Sequence, residues 1–202
     1  APIEERGGKI RIASKHPATE AYCCRVAMQR VMPILKALDC TRFTLKGEEV
    51  LLRGDEDEDE IYSADLSKAT DRIDHELARY FWSKLCTISN QPSWVRQVGE
   101  LAFRRKRNAK TGEVTSRGIH MGLGISWVIL SLLNMFVAWS SGAKRASYRV
   151  CGDDLTALWN RKTIVEYERR LMSIGLLANQ QKSFIAHHGG VFCEKMVERT
   201  SN

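Results

Sequence analysis

The chain has 202 residues, of which 44% are hydrophobic and 27% charged, so it is long enough for one globular domain with a substantial core. Its formal net charge of +7 favours a polyanionic partner, because Lys and Arg side chains release condensed counterions when they contact phosphates. The apolar runs are too short and too polar for a transmembrane segment. The six cysteines have neither CxxC pairs nor framework spacing, which argues against a disulfide scaffold.

The predicted elements of the first half of the chain are helices around one strand. Apolar spacing predicts a helix from Ala18 to Leu38, with Pro17 near its start and a kink or break at Pro33. Ile61 to Leu66 has the composition of a strand. Asp74 is a candidate N-cap for the next helix, because its side chain can accept hydrogen bonds from the free backbone N–H groups of the first turn.

The middle of the chain is predicted to hold two more helices with a glycine-rich loop between them. Pro92 starts a helix that ends near the basic cluster Arg104–Arg107. This cluster is either a solvated helix end or a contact to nucleic acid. Gly118 to Gly124 is the loop, and the apolar segment from Ser126 to Trp139 is the second helix.

The last third of the chain is predicted to contain two hairpins with a helix between them. In chain order these are the strand Tyr148–Cys151, the turn Gly152-Asp153-Asp154, the strand Leu155–Trp159, the helix Lys162–Ile174 ending at Gly175, the strand Ser183–Ala186, the turn His187–Gly190 and the strand Val191–Glu194. The order from Ile61 onward is therefore strand, helices, hairpin, helix, hairpin. This order predicts an α+β fold with helices on one face of an antiparallel sheet.

Three acidic residues have the placement that Mg²⁺-dependent phosphoryl transfer requires. Asp153 and Asp154 lie at a tight hairpin tip behind the small Gly152, and Asp65 lies in the strand Ile61–Leu66. Mg²⁺ takes one or two protein carboxylates together with waters and phosphate oxygens, and two such ions can hold the attacking and the leaving oxygen. A Gly-Asp-Asp sequence alone is also an ordinary hairpin turn, so the prediction depends on the surrounding sequence.

An ordered set of segments strengthens this prediction. The segments are Gly7-Gly8-Lys9-Ile10-Arg11, Asp65 to Asp71 (DLSKATD), Gly118 to Trp127 with MGLGISW, Cys151 to Leu155 (CGDDL), Gly175 to Phe184 with NQQKSF, and Gly190 to Lys195 (GVFCEK). In this order they resemble the fingertip motif and the palm motifs A to E of RNA-dependent RNA polymerases. They are most similar to those of ourmia-like, narna-like and mito-like positive-strand RNA viruses, which are relatives of the RNA phage replicases.

The resemblance covers nearly the whole chain and implies a domain organisation. Residues 1–60 would be a fingers-derived segment that carries the basic triphosphate-binding motif. Residues 61–202 would be the palm with motifs A to E, and a fingers-like helical insertion would lie around residues 90–117. The outer fingers and the thumb of the full-length polymerase would be missing, so the chain is interpreted as a fragment.

The resemblance also implies a catalytic set. Asp65 and Asp153 would be the main metal ligands and Asp154 an auxiliary one, for two Mg²⁺ ions with Mn²⁺ as a substitute. Lys182 corresponds to the motif D lysine that protonates the leaving pyrophosphate; a plain surface lysine is the alternative interpretation.

The substrate contacts implied by the resemblance come from three other segments. Lys9 and Arg11 would meet the triphosphate of the incoming nucleotide. Asp71 would sense the ribose 2′-hydroxyl, although it could instead cap the helix that follows. The flexible loop with Gly122 precedes Ser126, the hydroxyl expected near the nascent base pair.

One position departs from the motif of many such polymerases. They have an Asn four residues after the motif B hydroxyl as a partner of the second acid, whereas this chain has Leu130 there. The nearest Asn is Asn134, two helical turns after Ser126 and roughly on the same helix face, so it is the candidate partner of Asp71. The phage-like pattern also lacks the usual Asn.

The function implied is RNA-templated RNA synthesis that replicates a viral genome. An RNA 3′-hydroxyl would attack the α-phosphate of a nucleoside triphosphate and pyrophosphate would leave. The partners would be template RNA, nascent RNA and nucleoside triphosphates. The expected location is the host-cell cytoplasm, or the mitochondrion for a mito-like virus.

Three other classes of protein remain to be weighed against this function. A reverse transcriptase usually has a bulky aromatic residue at the position of Asp71 and a different residue at Gly152. A non-catalytic RNA-binding protein or an inactive polymerase relative would not need the intact acids. A metal-dependent nuclease would not need the triphosphate motif with Lys9 and Arg11.

Overall fold

The computed structural model describes residues 14–54 and 59–198 in full, together with the backbone of two short strands nearer the N-terminus. The helices are α1 (Ala18–Ala37), α2 (Asp39–Lys46), α3 (Ala69–Arg72), α4 (His75–Ile88), α5 (Ser93–Ala102), α6 (Gly124–Ser140) and α7 (Arg161–Ser173), with a 3₁₀ turn at Arg145–Ser147. The strands are β1 (Pro2–Glu4), β2 (Ile10–Ile12), β3 (Glu60–Ala64), β4 (Tyr148–Cys151), β5 (Asp154–Trp159), β6 (Phe184–Ala186), β7 (Gly189–Phe192) and β8 (Lys195–Glu198).

A four-stranded antiparallel sheet with the strand order β4-β5-β3-β6 is the centre of the fold. Every residue of β3 is buried, and this strand has a neighbour on each side. The helix α7 covers part of the sheet, since the ring of Tyr167 packs against those of Tyr62 and Trp159. The predicted α+β class with an antiparallel sheet is therefore confirmed.

The last predicted hairpin is wrong. The strand β6 pairs with β3, and the hairpin is formed by β7 and β8. Its turn is Cys193-Glu194, where both residues have positive φ, 51° and 62°, as a type I′ turn requires. Gly190 lies within β7, and glycine fits there because an added Cβ would come 2.6 Å from Ile61 Cγ2 on β3.

Local sequence signals set several helix ends as predicted. The side chain of Asp74 accepts hydrogen bonds from the backbone N–H groups of Glu76 and Leu77, and so caps α4. Gly175, with a φ of 85°, follows the end of α7 in the left-handed conformation. At Pro33 the prediction of a break is wrong, since α1 continues through this residue.

The chain divides into two compact units that alternate along the sequence. Unit 1 comprises residues 1–31 and 70–129, and unit 2 comprises residues 32–69 and 130–202. Unit 2 contains the four-stranded sheet and an apolar cluster of Leu52, Ile61, Leu158, Phe192 and Val197. The division at residue 60 inferred from the motifs is a different one and stays a prediction. Among the residues described, no helix is long and apolar enough to cross a membrane.

Close packing of α4 on α5 holds unit 1 together at Gly99. The buried indole of Trp82 donates a hydrogen bond to the carbonyl oxygen of Val95, 3.0 Å away, and lies flat against Gly99. A Cβ on Gly99 would lie 2.0 Å from Trp82 Cδ1. This position therefore has no room for a side chain.

Replacing Gly99 by Ala is expected to lower the free energy of unfolding by about 3 kcal/mol, because overpacking outweighs the better helix propensity of Ala. Thermal or urea unfolding of the full-length protein measures the change. Gly124→Ala is the matched control: its added Cβ would meet the sulfur of Met28, at the far end of a flexible side chain. An equal or smaller loss for Gly99→Ala than for the control would contradict the prediction.

Candidate active site

The antiparallel pairing of β3 with β5 brings together acids that are far apart in sequence. Ala64, the last residue of β3, pairs with Leu155 of β5. Asp65 directly follows Ala64 and Asp154 directly precedes Leu155, so the two acids lie at the same end of neighbouring strands. The geometry of the sheet therefore joins motifs separated by almost ninety residues.

The third acid, Asp153, lies in the tight turn that connects β4 to β5. Cys151 pairs with Asp154, which leaves Gly152 and Asp153 as a two-residue turn. Gly152 has a φ of 65°, a conformation that glycine adopts without strain. The turn therefore depends on glycine at this position, and both acids follow it directly.

The acids interact electrostatically. Burial, followed by the negative charges of Asp153 and Asp65, raises the pKa of Asp154 to about 6. A hydrogen bond from the Cys193 thiol and the positive charge of Lys182 act in the opposite direction. The site therefore concentrates negative charge, which a cation would offset.

Asp65 is held by residues from the segment after α7. Its carboxylate oxygen Oδ2 accepts a hydrogen bond from Asn179 Nδ2 at 3.2 Å and forms an ion pair with Lys182 Nζ at 3.1 Å. The backbone N–H of Asn179 donates to the Asp65 carbonyl at 2.7 Å, and the Asp65 N–H donates to Ser183 Oγ at 3.3 Å. Lys182 is thus a counter-ion of Asp65. Asn179 and Ser183 were missed as site residues, although both belong to the quoted motif NQQKSF.

Asn134 does not present its side chain to a ribose, contrary to the prediction. The residue is 0% exposed, and its amide is engaged at both ends. Nδ2 donates to the Gly152 carbonyl at 3.2 Å, and Oδ1 accepts from the Tyr167 hydroxyl at 2.6 Å. Asn134 is therefore buried on α6, and its partners are the Gly152 carbonyl in the turn of the acids and the Tyr167 hydroxyl.

The donor chemistry of the site suits Mg²⁺. Carboxylate oxygens are the ligands that this ion prefers, and it needs only one or two of them when waters and phosphates complete the shell. Within residues 14–54 and 59–198, no three His, Cys, Asp or Glu side chains are placed to hold a metal ion together. A magnesium ion here would therefore depend on one or two of these acids and on substrate oxygens.

Unit 1 carries Asp71 and the glycine-rich loop. Asp71 is exposed and lies in the short helix α3. Asp74, not Asp71, caps α4, so the capping interpretation of Asp71 is wrong. Gly118, with a φ of 98°, lies against this helix: an added Cβ would be 3.1 Å from the Asp71 carbonyl oxygen. The first residue of the loop therefore packs against the backbone of Asp71.

The other predicted substrate residues of unit 1 lie at the far end of the loop. Gly122 has a φ of 102° and no atom near the position of a Cβ, so a side chain there would be strained by the backbone alone. Ser126 lies in the first turn of α6 and is 2% exposed. Its hydroxyl has no hydrogen-bond partner among the described residues.

The triphosphate motif is described only in part. Lys9 lies outside the described residues, and Arg11 is described by its backbone, which pairs with Ile3 in the β1–β2 ribbon. The basic cluster after α5 includes the exposed Arg104 and Arg105. Both line a surface cleft of unit 1.

The fold of the chain resembles solved structures of viral RNA-dependent RNA polymerases. The polymerase of a human picorbirnavirus matches with a TM-score of 0.66, at 14% identity, over 94% of this chain and 39% of that one. An insertion-loop deletion mutant of a human picorbirnavirus polymerase matches with a TM-score of 0.62, at 14% identity, over 98% and 43%. At this identity the likeness is one of fold.

Sequence relatives point to one group of viruses. The chain is 28% identical to the RNA-directed RNA polymerase of Saccharomyces 20S RNA narnavirus, over 97% of the chain and 26% of the relative. It is also 28% identical to that of Saccharomyces 23S RNA narnavirus, over 97% and 24%. No protein-family model matches the sequence. The predicted resemblance is confirmed: the chain is related to narnavirus RNA-directed RNA polymerases and spans about a quarter of their length.

Proposed function

We propose that the full-length protein synthesises RNA on an RNA template by two-magnesium nucleotidyl transfer. The observation that carries the proposal is the convergence of Asp65, Asp153 and Asp154 at one end of the β3–β5 strand pair. Two ordered sequence motifs nearly ninety residues apart thus meet at one place. The fold is the palm of the polymerase, with part of the fingers.

Asp65 and Asp153 would hold the magnesium ions, with Asp154 as an auxiliary ligand. The ions would supply charge neutralisation at the attacking and leaving oxygens. The protein itself positions the reactants, which accounts for much of the catalysis of phosphoryl transfer. Asn179 supports Asp65 in this task, because its amide fixes one carboxylate oxygen through a 3.2 Å hydrogen bond.

The remaining roles concern the nucleotide. Lys9 and Arg11 would bind the triphosphate, Asp71 would contact the ribose 2′-hydroxyl, and the orphan hydroxyl of Ser126 would lie near the nascent base pair. Lys182 would transfer a proton to the leaving pyrophosphate. The ion pair with Asp65 supports this role because it keeps the Lys182 ammonium group beside the acids.

The test is incorporation of labelled nucleotides by the full-length protein. The proposal expects RNA products that require an RNA template, ribonucleoside triphosphates and Mg²⁺, with Mn²⁺ as a substitute. Deoxynucleotide products would instead identify a reverse transcriptase, and degradation of the template without synthesis would identify a nuclease. RNA binding without either reaction would identify a binding protein. Each of these three outcomes would overturn the proposal.

A further inference from the structure

The backbone N–H and the carbonyl oxygen of Gly152 are both held by side chains of the helix α6. The backbone N–H of Gly152 donates to Ser131 Oγ at 3.0 Å, and its carbonyl oxygen accepts from Asn134 Nδ2 at 3.2 Å. Ser131 and Asn134 are three residues apart on α6, so they lie on the same helix face. Both side chains are 0% exposed.

A third side chain fixes the orientation of the Asn134 amide. The Tyr167 hydroxyl, on α7, donates to Asn134 Oδ1 at 2.6 Å. Because this bond occupies the oxygen, the amide nitrogen must face Gly152. The ring of Tyr167 packs between two other aromatic rings: its centroid lies 5.4 Å from that of Trp159 and 6.1 Å from that of Tyr62. The chain of contacts therefore runs from the sheet through α7 and α6 to the turn.

Polar side chains at these buried positions are costly unless every group is bonded. Each buried donor or acceptor left without a partner costs about 1–3 kcal/mol, whereas apolar residues would pack without this risk. The three side chains converge on the one residue whose left-handed backbone sets the direction of Asp153 and Asp154. Their placement is therefore better explained by control of this turn than by stability alone.

We propose that Ser131, Asn134 and Tyr167 are positioning residues that fix the turn of Asp153 and Asp154 for catalysis. The inference rests on the proposed polymerase function and adds residues that touch neither substrate nor metal. A displacement of about 1 Å at a reacting group can cost about a hundredfold in rate. Loosening the turn should therefore reduce turnover before it changes the binding of nucleotides.

The test is Tyr167→Phe in the full-length protein, which keeps the packed ring and removes one hydroxyl. We expect kcat for nucleotide incorporation to fall by about tenfold, with the KM for nucleotides changed by less than about twofold. The Mg²⁺ concentration for half-maximal activity should rise, because the acids are less well held. Hydrogen exchange at Gly152 and Asp153 should accelerate.

Tyr62→Phe is the matched control. It is the same chemical change in the same unit, and it removes the 2.8 Å hydrogen bond from a buried tyrosine hydroxyl to Glu168 on α7. It should lower the melting temperature to a similar extent, and leave kcat and exchange at the turn as in the parent. If both variants behaved alike in kcat and in exchange, the network would serve stability only and the inference would be wrong.

Asn134→Leu provides a second, independent variant of similar size. It removes both bonds of the amide, so its kcat should be lower than that of Tyr167→Phe. Adding Tyr167→Phe to it should cause no further loss of kcat, because the hydroxyl acts through Asn134. Additive losses would overturn the inference. If the parent did not incorporate nucleotides, while Tyr167→Phe still accelerated hydrogen exchange at Gly152 and Asp153, the result would contradict the polymerase function instead.

Discussion

Replacing Asp153 by Asn in the full-length protein is expected to reduce nucleotide incorporation by about three orders of magnitude. The Asn side chain is nearly isosteric with Asp, so the two-residue turn that contains it should survive. The charge that would hold magnesium is lost, and with it several kcal/mol of transition-state stabilisation. Single-nucleotide extension of an RNA primer, measured under Mg²⁺ saturation, gives the change directly.

RNA binding should persist in this variant, because affinity for RNA comes mainly from contacts of Lys and Arg with phosphates. Asp39→Asn is a suitable control: it is the same chemical change at an exposed residue of α2, where the Asp39 carboxylate forms an ion pair with Arg42. This control should polymerise at the rate of the parent. Near-parental synthesis by the Asp153 variant would refute the assignment of Asp153.

Replacing Asp71 by Ala is expected to reduce the preference for ribonucleotides over deoxyribonucleotides by about a hundredfold. A site built to hydrogen-bond a hydroxyl rejects strongly the analogue that lacks it, and the loss of the acceptor removes this discrimination. Asp71 is exposed, and the start of the glycine-rich loop lies against its backbone. The ratio of kcat/KM for the two sugars measures the effect.

Asp74→Ala separates sugar recognition from helix capping in this experiment. Asp74 is three residues away, and its carboxylate caps α4. Its removal should cost about 1 kcal/mol of stability without changing the preference for ribose. If Asp71→Ala left sugar selection intact, or if Asp74→Ala changed it equally, Asp71 would not be the sensor.

The sequence predicts those parts of the fold that have strong local signals. Asp74 at a helix start, Gly175 after a helix end and Gly152 in a tight hairpin all have side-chain or backbone properties that require their conformation. The motifs predict that Asp65 and the hairpin with Asp153 serve one magnesium site, but no local property of the sequence shows which strands pair. The register of β3 and β5, with Ala64 opposite Leu155, needed the structure.

The errors have physical causes that act over longer distances. Gly189 and Gly190 resemble a turn, but Gly190 is small because β3 lies too close for a side chain. The real turn, Cys193-Glu194, uses two residues that seldom adopt positive φ and so gives no signal in the sequence. Asn134 was assigned to the ribose because it is the nearest Asn after Ser126 on the predicted helix. Its actual partner on α7, Tyr167, is more than thirty residues away, so no local signal indicates it.

The long separation of β3 from β5 also determines when the acidic site can form during synthesis. Residues 70–129, most of unit 1, leave the ribosome after β3 and before β5. Pairing of these strands first costs the entropy of closing the loop between them. A folded segment within the loop lowers this cost, because it shortens the flexible part of the loop. We therefore expect unit 1 to fold on the nascent chain before β5 has been synthesised and can pair with β3. The repulsion between the acids would then arise only at the last stage, when most of the surrounding structure already opposes it.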